Sequence, residues 1–261
     1  MQRQIVLLAL LGLVLVAGPA PSALAKGSKG AAPAAAKPTH DEECASLLQT
    51  LAKTRDAQTD DEALASIKKL DGYWKDATVT AETKKPVSGL VAWYAKRKSA
   101  VVAKAAIVAL GDMGRGPCAI QLMNLVEGML LQKDPPADLL AAAFAALKVA
   151  ADPDPSVTGS LLNLLQNRDK NVVAKAIEVI AAYGPGAAAV RSHLFELSLT
   201  AFETMAAVAA KGTDKDAADK WTLVGAPAVS ALSALSHKDL ADISAARKWY
   251  VDHGHDIDAW K

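Results

Sequence analysis

The sequence predicts an all-α protein built as a right-handed α-solenoid of about five helix pairs. Three observations carry that expectation. From His40 onward apolar residues recur at helical spacing, and almost nothing alternates with the period of a strand. A helix-sized pattern then occurs three times at intervals of about 35 residues, which is the signature of a repeat array. Each copy is followed by a break and a second apolar helix, and one such pair cannot bury both of its faces alone.

The repeat is found by aligning glycines. "VVAKAAIVALGDMG", Val101 to Gly114, and "VVAKAIEVIAAYG", Val172 to Gly184, open with the same five letters. Placing final glycine on final glycine puts Val102, not Val101, on Val172. Between them "LLAAAFAALKVAA", Leu139 to Ala151, fits the same template. Each copy holds an alanine, a larger apolar neighbour and another large residue three positions on: Ala106-Ile107 with Leu110, Ala143-Phe144 with Leu147, Ala176-Ile177 with Ile180. The small residue lets helices approach, and the large ones fill the seam.

The second helices are "RGPCAIQLMNLVEGMLLQKD", "DPDPSVTGSLLNLLQNRD" and "PGAAAVRSHLFELS". Pro117, Pro155 and Pro185 stand near their starts, where a missing N–H costs nothing, and Asp154 is placed to cap. At the N-terminal end "DEECASLLQTLAKTR" runs from acids to cations as a helix dipole prefers. "ALASIKKLDGYW" then opens the stack, with "VSGLVAWYAKRK" as its second helix. Near the C-terminus Ala231-Leu232 with Leu235 recreates the motif after a longer interval. The excess holds "TAFETMAAVAAKGTDKDAADKW", an extended helix and a charged turn. An insertion of this kind is where a repeat protein is expected to carry function. In the tail "ARKWYVDHGHDIDAWK", Trp249, Tyr250 and Trp260 are expected to close the last exposed core.

"LLNLLQNRDKNVVAKAIEVIAAYG", and less perfectly "GMLLQKDPPADLLAAAFAALKVAA", resemble HEAT repeats, in which a leucine-rich second helix leads through an Asp-containing turn into Val, spaced alanines, Leu and Gly. The resemblance runs from about Asp60 to the C-terminus. It departs from the pattern at Ala103, Leu140 and Val173, where an arginine is usual, so the usual polar ladder between repeats is not expected. Tetratricopeptide repeats have a similar period, but their Trp, Tyr and Pro landmarks are missing from these units. The resemblance implies a non-catalytic, secreted scaffold or adaptor that binds a protein or peptide on the concave face, lined by the second helices. The residues expected there are Gln121, Asn124, Asn163, Gln166, His193 and Glu196, a neutral and hydrogen-bonding set; ordinary solvated helix faces would look the same.

The first residues set the expected compartment. "MQRQIVLLALLGLVLVAGPAPSALAKG" has one cation, Arg3, a short apolar run from Ile5 to Val16, and Ala23-Leu24-Ala25 in the small-x-small pattern of a cleavage site. Residues 1–25 are therefore expected to be a signal peptide cut after Ala25, the apolar run being shorter than the ~20 residues of a membrane span. Residues 26–39, rich in Ala, Gly, Pro and Lys, are expected to be a flexible linker, and 40–261 the folded part. The product would be secreted or periplasmic, without stable membrane insertion. The formal charge is +1, and loss of Arg3 leaves the chain neutral, which offers no electrostatic reason to expect nucleic acid as a partner.

Chemistry-bearing motifs are sparse. No cofactor is implied. Gly111, Gly114 and Gly116 follow a helix rather than a strand, so helix C-capping, not phosphate binding, is expected of them. There is no G-x-S-x-G, no H-E-x-x-H and no His-Glu dipeptide, and His40 and His237 have no partner visible in the sequence. The alternative to a scaffold is a metal-binding protein using "DHGHDID", with His253, His255 and Asp256 as ligands. A solvated C-terminal cap has the same composition. Cys44 and Cys118, the two cysteines, can pair in an oxidising compartment or remain as buried thiols.

Overall fold

The computed structural model describes residues 39–261. The expected signal peptide and all but the last residue of the expected linker lie outside the described residues. Thr39, that last residue, is the N-cap of the first helix, its hydroxyl accepting from the Glu42 N–H while the Glu42 carboxylate returns the bond to the Thr39 N–H. Eleven α-helices follow: α1 (His40–Thr54), α2 (Asp60–Lys75), α3 (Ala81–Tyr94), α4 (Ala100–Met113), α5 (Pro117–Leu130), α6 (Ala137–Ala150), α7 (Pro155–Leu164), α8 (Lys170–Ala181), α9 (Ala188–Ala210), α10 (Lys215–Ser236) and α11 (Ile243–His253). Short 3₁₀ turns occupy Arg55–Ala57 and Ile257–Trp260, and no strand occurs among the described residues.

The helices pack in two rows. In the first, α2, α4, α6, α8 and α10 touch in series; in the second, α3, α5, α7, α9 and α11 do the same, with α1 against α2 and α3. The seam residues read from the sequence are the reason. Ala106, Ala143, Ala176 and Ala231 are fully buried, and Ile107, Phe144, Ile177 and Leu232 are buried beside them. Register follows the glycine alignment: Val102 and Val172 are both buried, while Val101 is 65% exposed. The closest approach is at Gly111, where a Cβ would stand 2.8 Å from the Ala146 Cβ. That contact joins α4 to α6, so Gly111 is a packing requirement inside the helix and not a cap; Gly114 (φ 83°) is the expected C-cap of α4, whereas Gly116 (φ 76°) is the N-cap of α5.

The turns at one end of the rows are laced together by hydrogen bonds from each pair to the next. The Trp74 indole N–H donates to the Met113 carbonyl at 2.8 Å. The Gly116 N–H donates to the buried carboxylate of Asp152, whose carbonyl accepts from the Tyr183 hydroxyl at 2.5 Å. The His237 ring pairs with the Gly184 carbonyl at 2.7 Å. Every successive pair of these turns is therefore linked. The residues differ from one link to the next, and none is an arginine after the valine, because Ala103 and Val173 are fully buried in the apolar seam.

Both ends are closed. His40 pairs with Asp76 at 2.5 Å and Asp41 accepts from the Thr80 N–H at 2.9 Å, fastening α1 across the ends of α2 and α3. His40 and His237 are thus capping partners. At the other end Phe195 of α9 packs against Trp249, Tyr250 and Trp260 with ring centroids 5.3 to 5.7 Å apart. Arg191, buried one turn earlier, donates to the Gly186, Leu235 and Trp260 carbonyls and so ties α9, α10 and the C-terminal turn to one guanidinium.

Two stability predictions follow from the packing. Gly111→Ala forces α4 and α6 apart and is expected to destabilise by about 1–3 kcal/mol in urea unfolding; an unchanged midpoint would show that the two helices separate freely. Tyr183→Phe removes a buried donor and leaves the Asp152 carbonyl one acceptor bond short, for a loss of about 1–3 kcal/mol measured the same way.

Candidate functional site

The second-row helices carry the polar side chains that the sequence singles out. Asn124 on α5, Asn163 on α7, and His193 and Glu196 on α9 are exposed; Gln166, just beyond α7, is exposed and Gln121 is half-buried. Burial of Leu122, Leu161 and Leu194 on the inner sides of these helices turns such residues outward. The helices α5, α7 and α9 that carry five of the six lie in series in the second row. Ser160 of α7 donates to Glu127 of α5 at 2.6 Å, a cross-helix link that sequence reading does not identify. Glu196 lies at the C-terminal cap, where burial and then this carboxylate raise the Tyr250 hydroxyl above its ordinary value.

Of the six, only Gln166 lines a cleft of about 570 Å³ beside the second row. Its walls are the α7–α8 turn, the end of α9 and the start of α10. The cleft exists because α9 and α10 are long: they have 23 and 22 residues, against 10 and 12 in α7 and α8. The excess expected from the repeat interval is thus mostly helix. Only a short turn at Gly212 (φ 66°) separates the two, and the segment from Lys215 onward, read as charged turn, belongs to α10.

Several cleft side chains hold the cleft itself together. Asp169 caps α8 by accepting from the Asn171 N–H at 2.8 Å, and Asp214 caps α10 by accepting from the Ala217 N–H at 3.1 Å. Lys220 reaches across and donates to the Asn167 carbonyl at 2.7 Å, fastening the hairpin to the turn. Four charges are left. Arg168 on the turn, Lys170 at the start of α8, and Asp216 and Asp219 on α10 are exposed and stand in no ion pair among the described residues. Met205 and Val208 of α9 supply an apolar wall.

Comparison of the chain with protein-family models, curated proteins and solved structures finds no match. The site is therefore described by its own chemistry. It offers cations on one wall, anions on another, an apolar strip and a carboxamide, which together suit recognition of a chain segment by charge and shape.

The C-terminal histidines are placed differently from the metal-ligand expectation. His253 lies with its ring 5.9 Å from that of Trp249, and His255 with its ring 5.7 Å from that of Tyr250. The Asp256 carboxylate caps the final 3₁₀ turn by accepting from the Asp258 N–H at 2.9 Å. No three His, Cys, Asp or Glu side chains converge as metal ligands among the described residues. These residues serve the aromatic cap.

Cys44 and Cys118 are free, buried thiols. Cys44 belongs to α1, which packs on α2 and α3; Cys118 opens α5, with α3 between the two in the second row. Of the two states open to them, the structure has the buried thiols and no bridge. Burial raises both thiols, Cys118 from 9.0 to about 12. Neither is expected to react with a thiol-disulfide reagent at pH 8 until the chain unfolds, and prompt reaction of the native protein would contradict their burial. Since a raised folded pKa stabilises the protonated state, stability is full below pH 9 and is expected to fall as pH rises toward about 12.

Proposed function

We propose that this protein is a secreted, non-catalytic scaffold of the HEAT-like type, a right-handed α-solenoid of five helix pairs that holds a segment of a protein partner. The observation that carries this reading is the pairing of two regular helix rows with one irregular element, the α9–α10 hairpin, which walls a cleft beside the polar second-row side. In a stack whose copies are set by packing, such a departure is where a binding task is added. The partner segment lies along α5, α7 and α9, touching Gln121, Asn124, Asn163, His193 and Glu196, and ends in the cleft at Gln166. There Arg168 and Lys170 meet acidic side chains, and Asp216 and Asp219 basic ones. The partner binds as an extended peptide whose apolar side chain faces Met205 and Val208.

Secretion rests on the N-terminal sequence: a short apolar run followed by Ala23-Leu24-Ala25. No described helix is long and apolar enough to cross a membrane. The exposed charges of the cleft pair with the partner in water, so binding is expected to weaken as salt is raised, while the neutral side chains along α5 and α7 act by side-chain fit.

The test is quantitative capture. Partners are cross-linked to the tagged mature chain in an extract of the exporting cell, identified by mass spectrometry and titrated. Asn124→Ala with Asn163→Ala and Gln166→Ala removes three exposed side chains without touching the core, and is expected to weaken binding on the order of tenfold. Unchanged affinity would remove this side of the molecule from consideration.

A further inference from the structure

On the opposite side, formed by the first-row helices, the outward stripe of α4 departs from that of α8. Alignment of the alanine seams puts Val101, Ala105 and Val108 of α4 on Asn171, Lys175 and Glu178 of α8. In α8 these outward positions are solvated, and Lys175 and Glu178 form an ion pair at 2.7 Å. In α4 the same positions are apolar, with Val101 65% and Val108 48% exposed. Stacking alone does not demand valine there, because α8 stacks equally well with polar residues. The spacing of Val101, Ala105 and Val108 is four then three, the stripe with which one helix meets another.

These residues form one wall of an open groove of about 500 Å³ whose other wall is α2, with Leu64 and Ile67 in its floor. Its α4 rim is charged oppositely at two levels: Lys104 lies one turn before Val108, and Asp112 one turn after it. Neither residue stands in an ion pair among the described residues.

We infer that this groove is a self-association face, and that its occupant is a second copy of this chain docked antiparallel on α4. A two-fold axis passing Val108 sets Val108 against Val108 and brings Lys104 of each copy to Asp112 of the other, so that both rims are neutralised at once. A groove whose charges are complementary to their own rotated image fits an isologous dimer, the commonest symmetric assembly. Val108 then buries against its counterpart where α8 has Glu178 paired with Lys175 in water, and Val101 packs just past the end of the other copy's α4. Dimerisation through the first row leaves α5, α7 and α9 free on each copy, so the two surfaces act independently.

Sedimentation equilibrium of the chain from Lys26 to Lys261 tests this directly. The expected result is a monomer–dimer equilibrium. Val101→Asn with Val108→Glu, which gives α4 the residues α8 carries, is expected to raise the dimer dissociation constant at least tenfold with unchanged thermal unfolding of the monomer. Lys104→Glu and Asp112→Lys are each expected to weaken self-association, and an equimolar mixture of those two variants to associate more tightly than either alone. A wild-type chain that stays monomeric up to about 1 mM would overturn the inference. So would a dimer that survives V101N/V108E, or a mixture that associates no better than its components.

Discussion

Close approach between first-row helices is the constraint on which the rest of the structure depends. Each helix pair has two faces to bury and only its neighbours to bury them against. The fully buried Ala106, Ala143, Ala176 and Ala231 permit contact between successive first-row helices, and Gly111 over Ala146 takes it to the limit of what a backbone without Cβ allows. Once that distance is set, the side chain after each alanine has nowhere to go but the seam. The second row is then positioned by short turns, and its inner leucines bury because the first row already stands behind them.

Apolar seams slide easily, since one large residue can replace another, so the register of the stack needs directional contacts. The hydrogen bonds between successive turns supply them. Asp152 is the centre of this chain of links: its carboxylate takes the Gly116 N–H and its carbonyl takes the Tyr183 hydroxyl, so one residue relates three consecutive turns. Burial pushes the Tyr183 hydroxyl well above its ordinary range, so it stays protonated and able to donate. The same work is done by a tryptophan at the first link and a histidine at the last. Links made by unlike residues leave no periodic motif. That is why the sequence, searched for an arginine at a fixed place, suggests that the turns are unlaced.

What is legible in the chain follows the range of the interaction. Helix identity, the seam alanines and the register of Val102 on Val172 depend on spacings within one or two turns, and all can be read from the letters. The insertion before Ala231 is visible as a long interval, and its importance to the cleft is foreseeable. Its lining is not, because Arg168 and Asp219 come from elements whose proximity is set only by packing. His40 and Asp76, Arg191 and Trp260, and Ser160 and Glu127 are likewise invisible as pairs. The two cysteines show a related case: their residue type leaves a bond and buried thiols both open, and only the packing, which buries each as a free thiol, distinguishes them.

A repeat carries its own internal comparison. Wherever copies agree, stacking explains the residue and nothing more is needed; wherever one copy departs toward a costlier residue, some other requirement has set it. Val101 and Val108 are departures of this kind, since an exposed valine gains nothing from solvent that asparagine or glutamate does not. The lengths of α9 and α10 are departures of backbone. One lies on the first row and the other beside the second, so the two proposed interactions do not compete for surface. The shared letters "VVAKA" hide this division: the first Val101 belongs to an exposed face, and the Val172 that begins the same string belongs to the core.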